Sequence, residues 1–159
     1  MDDRQFRFAM GQFATGVNVI TTEADGNIHG MTANAFMSVS LNPKLVVISV
    51  GEQASMLEKI RKSKKYAVSI LSQDQKELSM LFAGQIKEDR DVSFDRLAGL
   101  PVIEGAHTQV SCEVVNEHVE GDHTLFIGKV IDLKLQDCSD PLLFYKGQYC
   151  CMKASEEVM

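Results

Sequence analysis

The chain predicts a mainly β fold, an antiparallel barrel or sandwich with a few flanking α-helices, and three observations carry that expectation. Segments rich in β-branched and aromatic residues outnumber helical patterns by about seven to three. Short turn signals such as Asp25-Gly26 and Lys146-Gly147 separate many of them, so neighbouring strands should run antiparallel. The regular strand–helix alternation of a doubly wound sheet is missing. With 159 residues, 45% apolar and 24% charged, the chain can bury one ordinary core, and one domain is expected to cover residues 1–159.

In chain order, Phe6, Ala9, Met10 and Phe13 recur at helical spacing behind Asp2 and Asp3, which suits a capped, amphipathic opening helix. GVNVITT and IHGMTANAF then flank Asp25-Gly26 and read as a β-hairpin. After the Asn42-Pro43 break, LVVISV is a continuous apolar run of the kind buried on both faces of a sheet. Met56, Leu57 and Ile60 mark a second helix with a basic end, and YAVSIL the next strand. Ser72 and Gln75 have capping-box spacing before Leu78, Leu81 and Phe82, so a third helix should close near Gly84. The charged run KEDRD and the Gly99-Leu100-Pro101 punctuation predict an irregular stretch over 85–106, either a solvated connector or a lid. Two long β-rich runs between Thr108 and Leu135 flank Glu120-Gly121-Asp122, and LLFY and QYCC flank Lys146-Gly147.

Composition narrows the partners. A net charge of -6 repels phosphate backbones and anionic lipid, so neither nucleic acid nor a membrane surface is expected. No segment has the length of a membrane span, and the first fifteen residues lack the apolar run of a secretory signal. Cys112, Cys138, Cys150 and Cys151 show no CxxC spacing, which fits reduced thiols and a cytoplasmic protein. No metal site is expected, because adjacent Cys150 and Cys151 would face opposite sides of a strand.

Phosphate-loop, dinucleotide, nucleophile-elbow and zinc-protease motifs are all missing. What stands out is MTANAFMSVSLNP, where small and hydroxyl side chains crowd the approach to an apolar strand. Such a segment lets backbone come close to a flat ring; an isoalloxazine needs a thin apolar slot with polar groups at its edges. Thr32, Asn34, Ser38 and Ser40 have the chemistry for those edges, and Ser49, Gly51 and Ser55 that for a phosphate near the second helix. The same residue types also border ordinary strands and cap ordinary helices. His123 opens a strand just after a tight turn, where it serves equally as a structural donor or a ligand-facing imidazole.

Five blocks in register, FRFAMGQFATGVNVIT, MTANAFMSVSLNPKLVVISV, YAVSILSQDQKELSMLFAG, GDHTLFIGKV and PLLFYKGQY, resemble the flavin reductase components of two-component flavin-dependent monooxygenases. Their similarity is greatest to phenol and 4-hydroxyphenylacetate hydroxylase reductases, and it runs from about Phe6 to Tyr149. The resemblance implies the FMN-binding split β-barrel, a homodimer with flavin near the subunit interface, and hydride transfer from NADH or NADPH to FAD or FMN. It further implies a transient monooxygenase partner that receives the reduced flavin. By position, Thr32, Ala33, Asn34 and Ala35 with Ser38, Val39 and Ser40 resemble the wall against the ring and ribityl chain. Ser49, Gly51 and Ser55 resemble the phosphate end, Phe82, Ala83 and Gly84 another part of the pocket, and His123 the histidine beside the nicotinamide. The tail CCMKASEEVM matches nothing, so no role is carried past Tyr149. A flavin-binding protein of the same fold without turnover is the alternative, since fold does not fix activity.

Overall fold

The computed structural model describes residues 1–137 and 140–152. In chain order the elements are α1 (Asp3–Met10), β1 (Thr15–Gly16), β2 (Asn18–Ala24), β3 (Asn27–Ala33), β4 (Phe36–Leu41), β5 (Lys44–Gly51), α2 (Met56–Ser63) and β6 (Lys65–Ile70). A 3-10 turn, Gln73–Gln75, leads into α3 (Lys76–Phe82). There follow β7 (Phe94–Leu97), β8 (Leu100–Ile103), β9 (Thr108–Glu120), β10 (His123–Leu135), β11 (Leu143–Tyr145) and β12 (Gln148–Cys150). Seven strands form one antiparallel sheet in the order β3-β2-β6-β9-β10-β5-β4, and β1, β11 and β12 form a smaller one. Cys138 and residues 153–159 lie outside the described residues, and with them most of the unmatched tail.

Connectivity forces the large sheet to curl. Its edge strands β3 and β4 are consecutive in the chain, separated only by Asn34 and Ala35. Seven flat strands would hold their edges about 29 Å apart, whereas three Cα steps bridge at most about 11 Å. The sheet therefore wraps into a barrel whose edges meet at Asn34 without a described ladder between them, which is the split barrel the resemblance implies. Inside it pack Ile20, Ile48, Val50, Ile60, Tyr66, Val68 and Phe126, all essentially inaccessible. Tyr66 fits only because Gly128 faces it: a β-carbon at that glycine would lie 2.3 Å from the phenol oxygen.

Local signals explain the helices. Asp2 caps α1 reciprocally with Gln5, the Gln5 N–H donating to Asp2 Oδ1 at 2.7 Å and the Asp2 N–H to Gln5 Oε1 at 3.1 Å. Met56, Leu57 and Ile60 are the buried stripe of α2, which ends at Lys64 in the left-handed region. The Ser72 N–H donates to Gln75 Oε1 at 3.2 Å, and α3 ends before Gly84, at φ +70.

Three expectations need correction. Residues 94–103 are not irregular: β7 and β8 pair around Ala98 and Gly99, both at positive φ, as a tight hairpin demands. Buried polar side chains on the barrel's outer face pin this hairpin. Thr21 Oγ1 donates to Pro101 O, Ser111 Oγ to Leu97 O at 2.7 Å, Gln109 Nε2 to Ile103 O at 2.7 Å, and the Ile103 N–H to Ser69 Oγ at 2.9 Å. Residues 85–93 do lack helix or strand. Second, IHGMTANAF is not one strand, because it breaks at Asn34-Ala35 to pass from one sheet edge to the other. Third, LVVISV is not buried on both faces: Val46, Ile48 and Val50 point into the core, while Leu45, Val47 and Ser49 remain partly open on the outside. What covers that outer face is a functional question.

Candidate active site at the barrel seam

The backbone around the seam is held from three sides. Asn18 Nδ2 donates to Ala33 O at 3.2 Å, Thr32 Oγ1 to Ser79 O at 2.6 Å, and the Ser49 N–H to Ala35 O at 3.3 Å. Asn34 itself is exposed, and among the described residues its side chain makes no hydrogen bond, so its amide is free to meet a ligand.

Of three hollows that meet at Asn34, two gather the residues expected at the site. The larger, about 820 Å³, is an apolar groove bounded by Met10, Phe13, Met37, Val47 and Leu125, with Asn34, Ala35 and Ser49 along its length. The smaller, about 190 Å³, is lined by Thr32, Ala33, Asn34, Ala83 and Gln85 and closed by Tyr149. Tyr149 is fixed there by a 2.8 Å hydrogen bond between its hydroxyl and Ser79 Oγ, and by edge contact with Phe144. Thr15, on the groove wall beside Asn34, has a buried hydroxyl with no partner among the described residues. An apolar slot with a free amide and an orphaned hydroxyl on its wall has the chemistry to accept a flat heteroaromatic ring.

Of the residues singled out from the sequence, Thr32, Ala33, Asn34, Ala35, Ser49 and Ala83 converge on these hollows. Gly51 lies two positions beyond Ser49 on the same face of β5, opposite His123 of β10. Ser55 stands at the start of α2 and spends no side-chain hydrogen bond on capping it. Ser38, Val39 and Ser40 run along edge strand β4, at a register irregularity, and do not line either hollow. Phe82 is a support: its ring lies against Gly30, where a β-carbon would come within 2.5 Å of it, and it packs edge-on against Phe94. Gly84 ends α3 beside Ala83, which lines the smaller hollow.

His123 stands on the outward face that runs along β5 and β10 to the groove. Its Nδ1 lies 2.7 Å from Asp122 Oδ1, and the other end of its ring sits over Gly51. That hydrogen bond first, with a smaller contribution from Arg7 of α1, holds the Asp122 carboxyl below the usual carboxylate range. Sequence reasoning assigned no place at the site to Met10, Phe13, Met37, Leu125, Tyr149 or Ser79. The apolar stripe continuing past α1 was the available signal for Met10 and Phe13; nothing local marks the others. Among the described residues, no three His, Cys, Asp or Glu side chains cluster to hold a metal, and no helix is long and apolar enough to cross a membrane.

A split barrel with a ring-sized groove at its seam defines a class, and comparison gives the family. The chain belongs to the flavin reductase like domain family, whose profile matches residues 10–153. An NADH-dependent flavin reductase from a Rhodococcus species is 46% identical over 146 residues, covering 90% of this chain and 82% of that one. The reductase subunit HsaB of a flavin-dependent monooxygenase from Mycobacterium tuberculosis is 34% identical over 154 residues, covering 94% and 82%. Among solved structures, flavin reductase PheA2 in its native state superposes with a TM-score of 0.95 at 66% identity, covering 97% of this chain and all of that one.

Proposed function

We propose that this protein is an NADH-dependent flavin reductase that reduces FAD or FMN in the seam groove and hands the product to a separate monooxygenase. The observation that carries the reading is the meeting, at Asn34, of an apolar groove with unspent polar groups, on the same outward face as His123. The family and the Rhodococcus and HsaB relatives support nicotinamide as donor and a monooxygenase as recipient.

When bound, the flavin supplies the redox chemistry by accepting a hydride from the nicotinamide, so the chain need provide no nucleophile. What its residues do is bind, orient and exclude water. Asn34, Ala35 and Thr32 border the ring, with Ala33, Ala83 and Gly84 at the adjoining hollow and Phe82 backing β3. Ser38, Val39 and Ser40 of β4 lie along the ribityl side, while Ser49, Gly51 and Ser55 take the phosphate end near α2. His123, at the rim, meets the nicotinamide. The apolar groove walls keep water from the reacting rings. Free Cys112, Cys150 and Cys151 fit a reducing compartment, and we place the protein in the cytoplasm.

A homodimer completes this reading. Met10, Phe13 and Met37 are between 56% and 77% exposed, too much apolar surface around one groove to leave in water. A second copy over this face would cover the open side of β5 and bury the flavin. Size-exclusion chromatography with light scattering and flavin absorbance tests both points in one run. Flavin should elute with a species of twice the 17.6 kDa chain mass. Flavin travelling with a single chain would contradict the dimer, and flavin that never co-elutes, even with excess ligand in the column buffer, would contradict the site.

A further inference from the structure

We propose that Asp122 is a positioning residue for hydride transfer: its carboxylate holds the His123 imidazole with the proton on Nδ1, leaving Nε2 as a bare acceptor for the carboxamide N–H of the nicotinamide. This rests on the reading of His123 as the residue that meets the nicotinamide.

An ionised carboxylate can only accept hydrogen bonds, so at 2.7 Å the Nδ1 of His123 must be the donor. In a neutral imidazole the hydrogen bond made by one nitrogen decides the role of the other, and Nε2 is left with a lone pair. Asp122 is itself anchored, its carbonyl accepting from the Glu52 N–H at 2.9 Å just beyond β5. His123 pairs with Gly51 on one side and Glu120 on the other, which fixes where the ring starts from. Beneath Nε2 lies Gly51: a β-carbon there would touch Nε2 at 3.5 Å, so the ring rests directly over that backbone. Among the described residues Nε2 has no hydrogen-bond partner. The next outward positions on the same two strands, Ser49 and Leu125, line the groove, so the unspent acceptor stands at its end. An acceptor there selects the amide N–H of a carboxamide and gains nothing from a ketone in its place.

The charged groups around Asp122 agree. The Nδ1–H of His123, by donating to it, and the more distant Arg7 of α1 both favour its ionised form. The pair is largely exposed and adds little to folding, so Asp122 can be replaced without loss of the fold.

The test compares Asp122→Ala, Asp122→Asn, His123→Ala and the Asp122→Ala/His123→Ala double variant. Nitrogen NMR of the full-length wild type should show His123 in the Nδ1–H form, and Asp122→Ala should show a mixture. Asp122→Ala should lower kcat/KM for NADH about threefold to fivefold, the scale of an exposed charge-assisted bond. Asp122→Asn, whose amide oxygen still accepts, should retain most activity. Wild type should prefer NADH over its reduced acetylpyridine analogue, and Asp122→Ala should narrow that preference. Adding Asp122→Ala to His123→Ala should cost nothing further. An Nε2–H form in wild type, or an additive loss in the double variant, would overturn the proposal. A slow His123→Ala beside a normal Asp122→Ala would overturn it alone, whereas a normal His123→Ala would remove the His123 reading and the proposal with it.

Discussion

Replacing Asn34 by leucine should weaken flavin binding about tenfold to a hundredfold while leaving the fold intact. Asn34 occupies the two-residue link between the barrel's edge strands, and both hollows of the site are lined by it. Among the described residues its amide meets no partner, so the substitution deprives the ligand's polar edge of a donor and acceptor, a loss on the order of 1–3 kcal/mol. Leucine also sets a branched apolar group where the ring's edge must lie. Stability should hold, because the side chain is exposed and the local turn is made by backbone, the Phe36 N–H donating to Asn34 O at 2.9 Å. Fluorescence titration of flavin against the folded variant, beside its melting temperature, checks this. Unchanged affinity would remove Asn34 from the site; a large drop in melting temperature would make it a structural residue.

How much of this was legible in the sequence depends on whether the deciding interaction was local. Hairpins announced by Asp25-Gly26 and Lys146-Gly147, the caps of α1 and of the 3-10 turn that leads into α3, and the buried stripe of α2 all follow from neighbours within four residues. The β7–β8 hairpin escaped because polar groups from three other strands hold it, and because Pro101 reads as a breaker when it sits in a strand paired on one side only. LVVISV was read as doubly buried because its composition says so; alternation along β5 instead turns Leu45, Val47 and Ser49 outward, where that face opens on the groove. At the site, the run from Thr32 to Ala35 was visible as a cluster of small and polar residues. Tyr149 reaches the smaller hollow only through the packing of β11 and β12 beside β1, which no local pattern reveals.

Replacing His123 by alanine should lower kcat/KM for NADH about tenfold or more, or roughly 1.4 kcal/mol of transition-state stabilisation. An imidazole at the rim, over Gly51 and in line with Leu125 and Ser49, can align the nicotinamide that must stack briefly and leave. Flavin affinity and melting temperature should move little, since the ring is about half exposed and, among the described residues, its one hydrogen bond goes to the neighbouring Asp122. Steady-state kinetics with NADH varied at saturating flavin, together with a flavin titration, separates the two halves of the site. Lost flavin binding or unfolding with otherwise normal NADH kinetics would make His123 structural.

The central claim is that this chain moves a hydride from nicotinamide to flavin, and anaerobic mixing tests it most directly. With oxygen excluded, one equivalent of NADH added to the protein with FAD or FMN should bleach one equivalent of the flavin absorbance within the mixing experiment. The Asn34→Leu and His123→Ala variants should slow that bleaching. A protein that binds flavin yet leaves it oxidised in the presence of both NADH and NADPH would contradict the account and leave a flavin-binding barrel without turnover.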